Sequence, residues 1–268
     1  MNASSVTMMI GLALLAAAEP ASADPGAAAI ADGVDFAQHQ GRTLPAELQF
    51  RDERGDAVRL GDYLGAGPLG LVFSYYRCSN LCPLQIRNLA ERWVHTSGAA
   101  ADRAQVLVVS IDPLDTPALA AQAKHKYLDT LLTAGEGRRW HFLSGAPENI
   151  ARLTESVGFG YRYDEATRQY AHPAGFALIT PEGKIARYFF GFGFSADELG
   201  KALEEAGERQ IASPIERLLL VCFHYDVLSG RYSGLILDVL RVASIAMLLG
   251  MLVLVSIWRA RRLRILRS

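Results

Sequence analysis

Residues 70–95 read GLVFSYYRCSNLCPLQIRNLAERWVH, an apolar and aromatic run that turns into a helical pattern across two cysteines. The first seven residues have the length and composition of a buried central strand, covered on both faces and therefore not alternating. Pro83 suits the first turn of a helix, where its missing N–H would go unused anyway, and that helix continues through LQIRNLAERWVH. Cys78 and Cys82 therefore lie at a strand-to-helix junction, close to a helix N-terminus whose dipole favours thiolate over thiol.

Outward from this junction the same alternation continues. QVLVVSID (105–112) is a second buried strand ended by Pro113, and TPALAAQAKHKYLDTLL (116–132) is a helix with proline near its first position, completing a βαβ unit. WHFLSG (140–145) is a third strand, and APENIARLTESVG (146–158) is a helix that opens on proline and stops at Gly158. HPAGFALITPEGKIARYFFG (172–191) holds two strand-like runs joined by Thr180 to Lys184, a hairpin signal, and SADELGKALEEAG (195–207) is a serine-capped helix. Upstream, LQFRDERGDAVRLGDYLG (48–65) reads as two short strands around a glycine-containing turn. The fold class expected is α/β: a thioredoxin-like domain with an added N-terminal β-hairpin, plus one C-terminal transmembrane helix.

The ends carry that last expectation. Residues 8–18 form a short apolar run, and Ala-Ser-Ala at 21–23 offers a signal-peptidase pattern with cleavage before Asp24, although no lysine or arginine precedes the run. Leu235 to Trp258 is long enough to cross a bilayer, free of charge from Val242, and followed by the arginine-rich RARRLRILRS. The division is a signal peptide 1–23, a linker 24–42, the thioredoxin-like domain 43–210, a juxtamembrane connector 211–234, a transmembrane helix 235–258 and a basic cytoplasmic tail 259–268. In a bacterium this puts the chain in the inner membrane with its domain facing the periplasm, where disulfides and metal sites are both permitted. Lysine plus arginine total 27 against 28 aspartate plus glutamate, and there is no nucleotide-binding glycine fingerprint, so nothing argues for nucleic acid.

Two sulfurs one helical turn apart can close a disulfide, exchange electrons or hold a metal. A structural bridge over so short a loop adds little stability. A structural zinc site usually takes four protein ligands, and this chain, with three cysteines in all, lacks a second suitable pair. Two thiolates prefer copper(I), and an added imidazole also accommodates copper(II). Among the six histidines, His95 and His125 fall on amphipathic helices and His141 inside a strand; His172, before Pro173 and the strand GFALIT, sits in an extended loop able to lean over a neighbouring site.

Four ordered stretches carry a family resemblance: FSYYRCSNLCPLQ, with Cys-x-x-x-Cys followed by proline; VVSIDPLDTP; WHFLSG; and HPAGFALITPEGKIARYFFG around a histidine. Over roughly residues 43–206 the chain resembles the Sco/SenC family, membrane-tethered copper proteins with a thioredoxin-like fold involved in cytochrome c oxidase assembly. The resemblance implies that Cys78, Cys82 and His172 bind one copper ion, copper(I) or copper(II), and that Asp112 and Asp115 support the site without binding copper. It implies delivery to the copper A centre of oxidase subunit II, or another copper acceptor, or prior reduction of that subunit's cysteines. Many members are tethered by an N-terminal helix, so the expected C-terminal span departs from the pattern.

Three readings compete with a metallochaperone that catalyses no reaction: a thiol–disulfide oxidoreductase using Cys78 and Cys82 as its redox pair, a peroxide-reducing enzyme, which the paired cysteines fit poorly, and a copper or redox sensor. Cys222, two residues before His224 and with Asp226 close behind, could form a second metal site; an amphipathic segment on the bilayer explains these residues as well.

Overall fold

The computed structural model describes residues 33–78 and 81–211, together with positions 225–226, 231–232, 242–245, 247–248, 250–251, 255 and 258. Near the start of the folded region β1 (Gln49–Arg51) pairs antiparallel with β2 (Ala57–Arg59), and a single 3-10 turn, Leu60–Tyr63, follows. Then come β3 (Leu69–Ser74), α1 (Leu81–Trp93), β4 (Gln105–Ser110), α2 (Pro117–Leu128), β5 (Trp140–Leu143) and α3 (Pro147–Val157). A small hairpin of β6 (Arg162–Asp164) and β7 (Gln169–Ala171) precedes β8 (Gly175–Ile179), β9 (Ile185–Phe190) and α4 (Ala196–Gly207).

One five-stranded sheet, in the order β5-β4-β3-β8-β9, organises these elements. β3, β4 and β5 run parallel, whereas β8 is antiparallel to β3 and β9 to β8. Every residue of β3 is buried, as a central strand with both faces covered requires. Val72, Val108 and Phe142 face α1, α2 and α4, where Ile86, Ala120 and Leu203 pack on them. On the opposite face Leu71, Phe73 and Val109 meet α3 through Leu153 and the N-terminal hairpin through Phe50. The apolar stripe of α1 recurs every three or four residues, from Cys82 through Ile86 and Leu89 to Trp93.

The helix ends follow their sequence signals. Thr116 caps α2 by accepting from the Leu119 N–H, Ser195 caps α4 by accepting from the Glu198 N–H, and Gly158 ends α3 in the left-handed conformation. The outer edge of β5 is closed by the end of β1 and the segment after it. Arg51 exchanges two backbone hydrogen bonds with Ser144, at 2.8 and 2.9 Å, and Glu53 accepts from the Phe142 N–H at 3.0 Å while pairing with Lys124 at 2.6 Å.

The described part of the expected linker 24–42 is not a loose tether. Phe36 is buried edge-on against Phe159 and Tyr188, Ala37 donates to the Gly158 carbonyl, and Gly41 and Arg42 exchange hydrogen bonds with Ile185. One large ring among alanines and glycines is enough to dock the strand end, and average composition hides it.

The expected signal peptide, residues 1–23, lies outside the described residues, as do Cys222 and His224 and most of the connector 211–234. Within that connector Tyr225–Asp226 pairs with Arg231–Tyr232. Among the described residues no helix is long and apolar enough to cross a membrane; most of the expected span 235–258 lies outside them, and positions 242–245 are helical.

Candidate metal centre

The site forms where the chain leaves β3, crosses to α1 and meets the segment that enters β8. Cys78 follows the strand, its N–H donating to the Tyr75 carbonyl at 3.2 Å, and Cys82 occupies the first turn of α1. Both are buried thiols with no disulfide between them. His172 arrives from the other end of the domain because β8 pairs directly with β3, Val72 opposite Phe176, so the residues just before β8 stand over the end of β3.

The distance between Cys82 Sγ and His172 Nε2 is 3.2 Å, and His172 Nδ1 lies 3.0 Å from the Pro173 carbonyl oxygen. A carbonyl only accepts, so Nδ1 carries the ring proton and Nε2 presents a lone pair to the sulfur. Cys82 S–H is then the donor. Burial holds the His172 pKa below the usual histidine value, which keeps the ring neutral, against smaller upward pulls from the Pro173 carbonyl and Cys78. The Cys82 thiol is pushed well up, first by its hydrogen bond with Cys78 and then by burial. Cys78 also hydrogen-bonds Tyr75, whose hydroxyl is itself shifted up, chiefly by burial.

Aromatic rings wall the histidine: Tyr75 stands edge-on at 6.1 Å and Phe159 lies at 5.8 Å, with Tyr170 packed behind Tyr75. Below the cysteines, Asp115 accepts from the Tyr76 N–H at 2.7 Å and the Ser110 hydroxyl at 2.6 Å, and the Arg77 guanidinium reaches both Asp112 and Asp115. Burial raises the Asp115 pKa, and its hydrogen bonds with Ser110 and Tyr76 oppose that push. Both aspartates therefore support the backbone that carries the cysteines.

Of the three residues expected to ligate, Cys82 and His172 are in contact and Cys78 is hydrogen-bonded to Cys82. Among the described residues no three His, Cys, Asp or Glu side chains form a finished metal cage. The donor set nevertheless fits a soft cation: two thiols and a neutral imidazole nitrogen, dry and grouped, with a proton on the Cys82–Nε2 line that a metal would replace. Among the other described histidines, His39 lies 3.2 Å from the Ser156 carbonyl oxygen, His125 meets Asp129 at the surface and His141 packs against the Tyr63 ring. Sequence reasoning missed Tyr75 and Phe159. Only the alternation of Phe73 and Tyr75 along the strand offered a signal.

A model of the SCO1/SenC family matches residues 37–206. Among solved structures, a putative electron transfer protein from Aquifex aeolicus VF5 is 22% identical, with 63% of this chain and 95% of that one covered and a TM-score of 0.56. A SCO1/SenC family lipoprotein from Bacillus anthracis is 18% identical over 65% of this chain and 95% of that one, with a TM-score of 0.50. ScoI from Bradyrhizobium japonicum, solved with copper bound, is 24% identical over 63% and 99%, with a TM-score of 0.47. No curated protein sequence matches this chain.

Proposed function

Because this chain belongs to the SCO1/SenC family through residues 37–206, we propose that it takes up copper as cargo on Cys78, Cys82 and His172 and hands it to an acceptor during cytochrome c oxidase assembly. The observation that carries the reading is the 3.2 Å contact between Cys82 Sγ and His172 Nε2, with the Cys78 thiol hydrogen-bonded to the same sulfur. Uptake requires both thiols to release their protons, while His172 is already neutral and needs only to offer Nε2. Nδ1–H stays on the Pro173 carbonyl and keeps the ring in the ligating tautomer. Transfer is ligand exchange: the imidazole, held on a loop, is the donor that yields first, and the two sulfurs follow.

In this reading the acceptor is the copper A centre of oxidase subunit II. Residues 235–258 form a single C-terminal span in the inner membrane, the domain faces the periplasm and residues 259–268 remain cytoplasmic. The thiol-to-thiol hydrogen bond also favours a second reading, in which Cys78 and Cys82 close a disulfide as they reduce an acceptor's disulfide to two thiols. The strongly raised Cys82 thiol speaks against Cys82 as the attacking group.

Titration of the reduced full-length protein with copper(I), in competition with a chromophoric chelator, separates the two. One ion per chain is expected, lost in Cys78→Ser and Cys82→Ser and greatly weakened in His172→Ala, with dithiol exchange surviving in the last. A His172→Ala protein that holds copper as tightly as the native chain sinks the three-ligand reading.

A further inference from the structure

We infer that Gln85 is a positioning residue for the site: its amide ties the strand end that carries His172 to the helix that carries Cys82, and so sets the imidazole against the sulfurs. The role rests on the reading of Cys78, Cys82 and His172 as a copper site, whereas the tie itself is a contact between α1 and β8.

Gln85 lies three residues after Cys82 in α1, on the same face of the helix, and is 4% exposed. Its Nε2 donates to the Gly175 carbonyl at the start of β8, three residues beyond His172. The Cys82–His172 contact therefore has a companion one turn along α1, from the same helix to the same segment. The other end of the amide is unmet: among the described residues Gln85 Oε1 has no hydrogen-bond partner. A buried amide satisfied at one end is a poor way to stabilise a helix face whose other buried members include Ile86, Leu89 and Trp93. What the residue supplies is one well-aimed N–H.

Gly175 is a firm anchor for the segment bearing the histidine. Its φ is +152°, and an added Cβ would sit 2.4 Å from the Phe189 carbonyl oxygen, so this backbone lies directly against β9. One residue earlier the Ala174 carbonyl accepts from the Gly191 N–H at 3.0 Å. These contacts fix the segment to the sheet, but Cys82 stands on a helix, and the Gln85 bond registers that helix to the segment. Pro173 and Ala174 alone separate the clamped Gly175 from His172, and the Nδ1 contact to the Pro173 carbonyl stiffens the link. A displacement at Gly175 is therefore passed on to Nε2 rather than absorbed.

The test uses Gln85→Met in the full-length protein, which keeps the length of the side chain and removes both the donor and the unmet acceptor. Circular-dichroism melting of the metal-free variant is expected within about 4 °C of native, the shift for roughly one hydrogen bond in a domain of this size. In proton–nitrogen correlation spectra of the metal-free protein the His172 ring signals, a single set in the native chain, are expected to broaden or split, while those of His125 and His141 stay in place. Copper(I) affinity is expected to fall about tenfold, the usual effect of losing a bond that orients a ligand. In a His172→Ala background Gln85→Met is expected to have no further effect, because the residue acts through the imidazole.

A metal-free Gln85→Met protein melting more than about 8 °C below native would make the amide a structural prop and overturn the inference. So would unchanged His172 ring signals, a copper(I) affinity equal to native, or a tenfold loss that persists in the His172→Ala background. A native protein that takes up no copper would remove the copper reading alone, and the ring signals would still decide whether Gln85 holds His172.

Discussion

Replacing Asp115 by alanine should destabilise the domain far more than replacing Asp112, although the two aspartates lie three residues apart in one motif. The Asp115 side chain is fully buried and accepts from a buried backbone N–H, that of Tyr76, and from the Ser110 hydroxyl. Alanine leaves the Tyr76 N–H without its acceptor, at about 1–3 kcal/mol, while Ser110 can turn toward the Asp112 carbonyl, so about 1 kcal/mol covers its loss. The pairing with Arg77 adds little, because that guanidinium is half exposed and water replaces the contact. The sum is about 2–4 kcal/mol, which for a domain of this size lowers the melting temperature by roughly 4–16 °C. Asp112 gives up its bonds to Arg77 and to the N–H of Leu114, whose side chain is 72% exposed, so Asp112→Ala should cost about 1 kcal/mol. Circular-dichroism melts of the native protein and both variants in one buffer measure the difference. The sign of the pH dependence is fixed as well. The folded Asp115 pKa lies above 3.8, so the native state holds this proton more tightly than the unfolded chain, and the residue's contribution is greatest at acid pH and declines as pH rises through the folded value. A Asp115→Ala protein that melts within about 2 °C of native, or above Asp112→Ala, refutes this account of the network.

Copper(I) uptake should release about two protons per ion near pH 7.5, because the thiols are protonated and the imidazole is already neutral. Affinity then rises roughly 100-fold per pH unit; potentiometric titration at two pH values measures it, and release of one proton would remove one cysteine from the ligand set. Gly158→Ala should cost more than about 2 kcal/mol, since the residue has φ +75° and an added Cβ would sit 2.2 Å from the Ala37 carbonyl oxygen. Chemical denaturation checks that value, and a loss under about 1 kcal/mol would show that the chain entering at Phe36 yields easily.

The βαβ unit and the final hairpin were legible in the sequence because their strands are continuous apolar runs bounded by proline, serine caps and glycine, signals that act within a few residues. The strand pair β6–β7 was not legible, because Arg162–Asp164 and Gln169–Ala171 are short, polar and largely exposed, and only the Tyr163–Tyr170 ring contact marks their register. The cysteines could be placed by local rules, whereas His172 could be placed only by resemblance. No local pattern states that β8 lies beside β3.

Cys82 and His172 are 90 residues apart and meet only because β8 docks antiparallel on the central strand. A nascent or partly unfolded chain therefore owns two sulfurs but lacks the nitrogen, and any ion it picks up early is held by an incomplete set. On the proposed copper-carrying reading, completion of the sheet and competence for cargo become one event.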